Sequence, residues 1–114
     1  MQEDPRSAAS ELATRTLAVV LCGGPQKLVL TPGGDCYRVC EGGPGLGTSG
    51  SGDVQAGLVT GLLARGAQPD QAAVWGAFLH GAAGDRLAQE RGAIGFLARE
   101  IPGMVPRLLS WLAT

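Results

Sequence analysis

The stretch Gly42-Gly43-Pro44-Gly45-Leu46-Gly47-Thr48-Ser49-Gly50-Ser51-Gly52-Asp53 runs straight into the apolar segment 54–63. A glycine-dense loop lets backbone approach a ligand closely, and a helix beginning at its end aims free N–H groups and a positive dipole end at the same place. The pattern therefore reads as a cradle for an anion, phosphate above all. Asp53 does not belong to a phosphate cradle by charge, since a carboxylate repels phosphate. It either caps the helix, as Asp commonly does, or takes a proton.

Working outward, the following segment 54–64 has helical spacing but is apolar on nearly every side, interrupted by Gln55 and Thr60. Such a helix is normally surrounded by protein. Arg65-Gly66 supplies a basic last turn and a stop, and Pro69-Asp70 opens a second helix running through Trp75, Phe78 and Leu79 to about Glu90. Residues 106–112 read as a terminal helix with Leu108, Leu109, Trp111 and Leu112 on its apolar face. Trp75, Phe78 and Trp111 are spaced like core residues.

Upstream, residues 7–16 read as a short amphipathic helix, with Ala8, Leu12 and Ala13 on one face and Glu11 and Arg15 on the other. The apolar run 17–22, bounded by Gly23-Gly24-Pro25, suits a buried parallel strand. Residues 27–30 and 35–40 flank the turn Thr31-Pro32-Gly33-Gly34 and read as a hairpin. The order of short strand, hairpin, Gly-rich loop and helical region is α/β. No internal repeat or linker divides the chain, so residues 1–114 are expected to form a single domain.

The bulk properties narrow the partners. A formal net charge of −1 gives no basic field for nucleic acid or an anionic membrane. No stretch reaches the roughly 20 apolar residues of a membrane helix, and the polar start lacks a signal-peptide core, so a cytoplasmic location is expected. Cys36 and Cys40, if on one strand, stand roughly 13 Å apart at about 3.3 Å per residue, too far for a disulfide. With no Cys-x-x-Cys and a single histidine, no metal site is read, and Cys22, Cys36 and Cys40 are expected to pack.

Two blocks carry a family resemblance. Residues 45–54, with Ala56-Gly57-Leu58 and Gly61-Leu62-Leu63 after them, and Leu79-His80-Gly81-Ala82-Ala83-Gly84-Asp85 resemble the signatures of the NAD(P)H-hydrate (NAD(P)HX) dehydratases of the ribokinase-like superfamily. The similarity extends from about Ala8 through Val19-Val20-Leu21-Cys22-Gly23-Gly24 to Phe96-Leu97-Ala98. It covers nearly all of this chain but only the C-terminal portion of a family member. The fold implied is the C-terminal part of a ribokinase-like three-layer α/β fold.

The resemblance further implies a function: dehydration of hydrated NADH or NADPH, driven by ADP or ATP, with Mg2+ compatible with that chemistry. Asp53 would be the catalytic base and a substrate contact. Gly43, Pro44, Gly45, Leu46, Gly47, Thr48, Ser49, Gly50, Ser51 and Gly52 would form one nucleotide-binding segment. Cys22, Gly23, Gly24, Pro25 and Gln26 would form a second. Cys22 stands where the family typically has lysine, and a neutral thiol does not replace an ammonium beside a nucleotide.

His80 would contact substrate or carry a proton, while a packing histidine is equally natural there. Asp85, followed by Arg86, reads more readily as a helix-face ion pair than as a catalytic group. The alternatives are a noncatalytic nucleotide-binding fragment and a vitamin-precursor kinase of the same superfamily. Because helix 54–63 would be left with an uncovered apolar face, the chain is expected to pair with itself or with a chain supplying an N-terminal half.

Overall fold

The computed structural model describes residues 4–24 and 26–112. Helix α1 (Pro5–Thr16) starts two residues earlier than the amphipathic pattern suggests. Asp4 caps it, its carboxylate accepting from Arg6 N and Ser7 Oγ, both at 3.2 Å, and Pro5 sits at the first helical position, where a missing N–H costs nothing. The chain leaves α1 through Leu17, whose φ of 58° is left-handed. Leu17 is thus a helix terminator exposed to solvent, and not the start of a strand.

Strand β1 (Val20–Cys22) is shorter than expected and pairs antiparallel with β2 (Lys27–Leu30), with Leu21 opposite Val29. The expectation of a buried parallel strand is therefore corrected in this sheet. An apolar run cannot by itself distinguish parallel from antiparallel pairing, because the partner decides it. β2 continues into β3 (Cys36–Val39) as the anticipated hairpin, with Lys27 opposite Val39. In its turn Thr31 Oγ1 accepts from Asp35 N at 3.0 Å, and Thr31 O accepts from Gly34 N at 3.1 Å.

The three-stranded sheet, in the order β1-β2-β3, is sandwiched between helices. On one face Ala9 and Ala13 of α1 pack on Leu30, with Val20, Cys22, Leu28 and Cys36 around them. On the other lies α3 (Pro69–Arg91), which contacts both β2 and β3 and packs along α2 (Ser51–Ala64). A second cluster of Ala83, Leu87, Phe96, Ile101 and Met104 joins α3 to the C-terminal segment and α4 (Val105–Leu112). Leu46 and Val54 pack against this cluster and so tie the Gly-rich loop and α2 to it.

Several packing expectations are overturned. Trp75 is 48% and Trp111 73% exposed, so neither is a core residue. Trp75 instead meets Phe78 edge-to-face, with ring centroids 5.7 Å apart. Cys22 and Cys36 are half-buried, but Cys40 is exposed and does not pack. Apart from Ser51, no residue of α2 is buried; α3 covers one side, and the uncovered apolar face that the sequence suggested is present on the other. Among the described residues, no helix is long and apolar enough to cross a membrane.

Candidate functional site

The Gly-rich loop folds into a single 3-10 turn over Pro44–Gly47, then enters α2 through Gly50. Gly50 has φ +89°, a left-handed conformation that side chains rarely adopt, and this residue turns the chain into the helix. No side chain caps α2. Ser51 N donates to Thr48 O and Val54 N to Gly50 O, both at 3.2 Å, which leaves the Gly52 and Asp53 amides without intrahelical acceptors. They are donors available to an anion at this helix end.

The loop is held from below by α3. Gly81 lies directly beneath the Glu41 backbone, so close that a Cβ there would overlap the Glu41 carbonyl. Four residues along, Asp85 Oδ2 accepts from Gly42 N at 3.1 Å. Asp85 is thus an anchor for the loop and not a helix-face ion pair, since Arg86 turns instead to Glu90 at 3.4 Å. Gly45 is buried against Phe96, which locks the loop from its other side.

Between this loop, the β1–β2 connection and α3 lies a cavity of about 680 Å³. Gly43, Pro44, Leu46, Gly47, Ser51 and Gly52 line it from the Gly-rich loop, and Gly23 and Gly24 from the β1–β2 connection. His80 lines it from α3. Gly45, Thr48, Ser49 and Gly50 support the loop without lining the cavity. Gln26 is exposed and does not line it, and Pro25 lies outside the described residues. Cys22 belongs to the apolar cluster beneath α1.

Asp53 occupies the third position of α2, not its cap, is exposed, and is not among the cavity-lining residues. The helix-capping reading of Asp53 is therefore excluded by position.

Gly42, at the head of the Gly-rich stretch, also lines the cavity, and the sequence reading missed Lys27, Glu41 and Gln55, which line it too. Lys27 is the most consequential of them. It is 7% exposed, and its Nζ lies 2.8 Å from His80 Nδ1 and 3.2 Å from Ala77 O. On the other side of the imidazole, His80 Nε2 is 3.0 Å from Ser51 O and 2.9 Å from Ser51 Oγ. Lys27 donates to Nδ1, so the neutral ring carries its proton on Nε2 and donates it to Ser51. His80 is a polar link between strand, helix and the N-terminus of α2.

Burial pushes Lys27 down to about 8, while the negative charges of Glu41 and Asp85 oppose that fall. Burial first, and then the Lys27 charge, push His80 down to about 4, against the hydrogen bond to the Ser51 carbonyl. At neutral pH the pair is thus an ammonium beside a neutral imidazole. A signal for Lys27 did exist in the sequence. It shares a face of β2 with buried Val29, so period-2 alternation puts a charged residue on the buried side of an apolar strand.

The site and its three-layer α/β frame define a class by architecture: α/β proteins in which a Gly-rich loop runs into an uncapped helix N-terminus, a geometry suited to an anion. The comparisons narrow that class. A family model described as NAD(P)H-hydrate dehydratase matches residues 1–107.

The chain is 46% identical over 108 residues to the ADP-dependent (S)-NAD(P)H-hydrate dehydratase of Xanthomonas campestris pv. campestris, covering 95% of this chain and 37% of that protein. It is 39% identical over 109 residues to the bifunctional NAD(P)H-hydrate repair enzyme Nnr of Moorella thermoacetica, covering 96% of this chain and 21% of that one. The ADP/ATP-dependent NAD(P)H-hydrate dehydratase of Bacillus subtilis, co-crystallised with ATP/Mg2+, superposes with a TM-score of 0.83 at 31% identity, covering 92% of this chain and 38% of that chain.

The chain belongs to the NAD(P)H-hydrate dehydratase family. It spans little more than a third of the Xanthomonas relative's length.

Proposed function

We propose that this chain supplies the nucleotide-phosphate side of an ADP- or ATP-dependent dehydratase that restores hydrated NADH or NADPH, as the C-terminal portion of one catalytic domain. The observation that carries the reading is the folded cradle: the loop from Gly42 to Gly52 wraps a cavity of about 680 Å³ at the uncapped end of α2. The Gly52 and Asp53 amides and the Lys27 ammonium suit a nucleotide's phosphates, so the residues present fit the group. Among the described residues no three His, Cys, Asp or Glu side chains gather as a metal site, so Mg2+ would arrive with the nucleotide.

When bound, the nucleotide would supply a phosphoryl group to the added hydroxyl of the hydrate and depart shortened by one phosphate, so that the C–O bond breaks with phosphate leaving while the adjacent ring carbon loses a proton to restore the double bond. Asp53, exposed at the first turn of α2, takes the proton from that hydroxyl as its oxygen approaches the phosphate, which makes the oxygen a competent nucleophile. The Gly52 and Asp53 amides, left without intrahelical acceptors, would need no reorganisation as negative charge develops. Thr48, Ser49 and Ser51 carry hydroxyls on the same loop. A cytoplasmic location would suit a soluble dinucleotide substrate.

The position of Asp53 outside the cavity lining favours a second reading, a noncatalytic nucleotide-binding fragment. If Asp53 is to face a substrate, the remaining wall must come from another polypeptide segment or a second copy. The exposed apolar residues of α2, Leu63 among them, are where such a partner would pack. Light scattering showing a well-behaved monomer would oppose that association.

Recovery of NADH from its hydrate, followed by absorbance with ADP present, tests the catalytic reading. Asp53→Asn is expected to lower the rate at least a hundredfold while ADP still binds. Equal inactivity of wild type and variant, with ADP bound by both, would leave the fragment reading in place.

A further inference from the structure

Among the described residues that line the cavity, Lys27 is the one cation and Glu41 the one carboxylate. Lysine carries three N–H donors. Two are directed to Ala77 O and His80 Nδ1, leaving one for the cavity that Lys27 lines. Both acceptors belong to α3, and His80 in turn holds Ser51 at the first position of α2. The ammonium is therefore not a mobile surface charge. It is fixed to the same scaffold that presents the α2 amides.

We propose that Lys27 is the charge-bearing anchor for the phosphates of the nucleotide in this cavity, held in place by neutral His80. The assignment rests on the nucleotide reading above and names the residue of this chain that supplies the positive charge. It answers the problem raised by Cys22, which lies in the apolar cluster under α1 and offers no charge to the cavity. The amine comes instead from β2, at a position whose side chain faces α3.

A buried ammonium held with little water around it gains more from a phosphate than a surface lysine does, because the surrounding dielectric is low. The same burial makes the interaction pH-sensitive. Glu41 from the loop and Asp85 from α3 are the carboxylates that act on Lys27, and His80 is the neutral base against it. A bound polyanion adds to the two carboxylates and holds the proton on Lys27 to higher pH. By linkage, nucleotide affinity must fall as Lys27 loses that proton.

The test is calorimetric titration of ADP into the 114-residue chain at pH 7.5 and 9.5, with Lys27→Met alongside, and nuclear magnetic resonance titration of the Lys27 Cε signal with and without ADP. The K27M series is the baseline for every other titrating group. Wild type is expected to bind ADP roughly tenfold or more weakly at pH 9.5, K27M to bind weakly at both values, and the Lys27 midpoint to rise when ADP is added.

ADP bound equally at both pH values and undiminished in K27M would overturn the role of Lys27 alone, leaving the nucleotide site intact. Should K27M fail to fold, the resonance decides: a midpoint unmoved by saturating ADP overturns the proposal. No ADP binding by wild type at pH 7.5 would overturn the nucleotide reading and this assignment with it.

Discussion

Lys27 and Leu28 are consecutive residues of one strand, yet they meet opposite chemistries. Leu28 points with Leu30 toward α1, where Ala9, Ala13, Val20 and Cys22 make a dry apolar layer. Lys27 points with Val29 toward α3, where it finds the Ala77 carbonyl and the His80 ring. The first face gains stability from burial alone. The second buries an amine, an imidazole and a hydroxyl, and each costs free energy unless partnered. The contrast separates the part of the molecule that holds the sheet together from the part that lines the cavity.

The largest expected effect lies on the α1 face. Leu30→Ala, in the strand's most enclosed apolar position on that side, should destabilise by about 2–5 kcal/mol, read as a lower denaturant midpoint. Leu17→Ala, on an exposed helix terminator, should stay within about 0.5 kcal/mol. Equal effects would break the distinction between face and terminator.

Next comes the seam between α3 and the loop. A Cβ at Gly81 would strike the Glu41 backbone, whereas one at Gly57, on α2 and away from the cavity, would meet nothing within 4 Å. Gly81→Ala should therefore cost about 1–3 kcal/mol through overpacking and weaken ADP binding by displacing the cradle, and Gly57→Ala should do neither. Calorimetric melting with and without ADP distinguishes them.

The smallest effect is the pH response of the polar face. His80 titrates near 6.5 unfolded and is pushed down to about 4 when folded. Between those values the unfolded chain binds the proton and the native chain does not, so stability must fall as pH drops from 6.5 to 4. At pH 5.5 the loss relative to neutral pH is about 1 kcal/mol. Lys27 has the same sign in a higher window, since its folded value is also lowered. Stability should rise with pH from about 8 toward its unfolded value near 10.4. His80→Gln should flatten the acidic limb and leave the alkaline rise.

Local chemistry made much of this legible in the sequence. The hairpin was written in Thr31-Pro32-Gly33-Gly34, the loop leading into α2 in residues 42–53, and the fold and family in the resemblance carried by the two motif blocks. What the sequence left hidden depends on contacts between distant residues. The antiparallel pairing of β1 is set by β2, not by the apolar run itself. Lys27 meets His80 across 53 positions, and Asp85 reaches back 43 to Gly42, where its neighbour Arg86 had suggested a local ion pair. Trp75 and Trp111 had core-like spacing but sit outside, because helical period identifies a face without saying whether anything covers it.

The central claim is that the loop and α2 end form a nucleotide-phosphate cradle. Backbone amide chemical shifts recorded during an ADP titration test it most directly. The account predicts saturable shifts concentrated at Gly43, Gly47, Ser51 and Gly52, with Gly23 and Gly24 following. Shifts confined to the polar face of α1, from Arg6 to Arg15, with the loop unmoved, would contradict it.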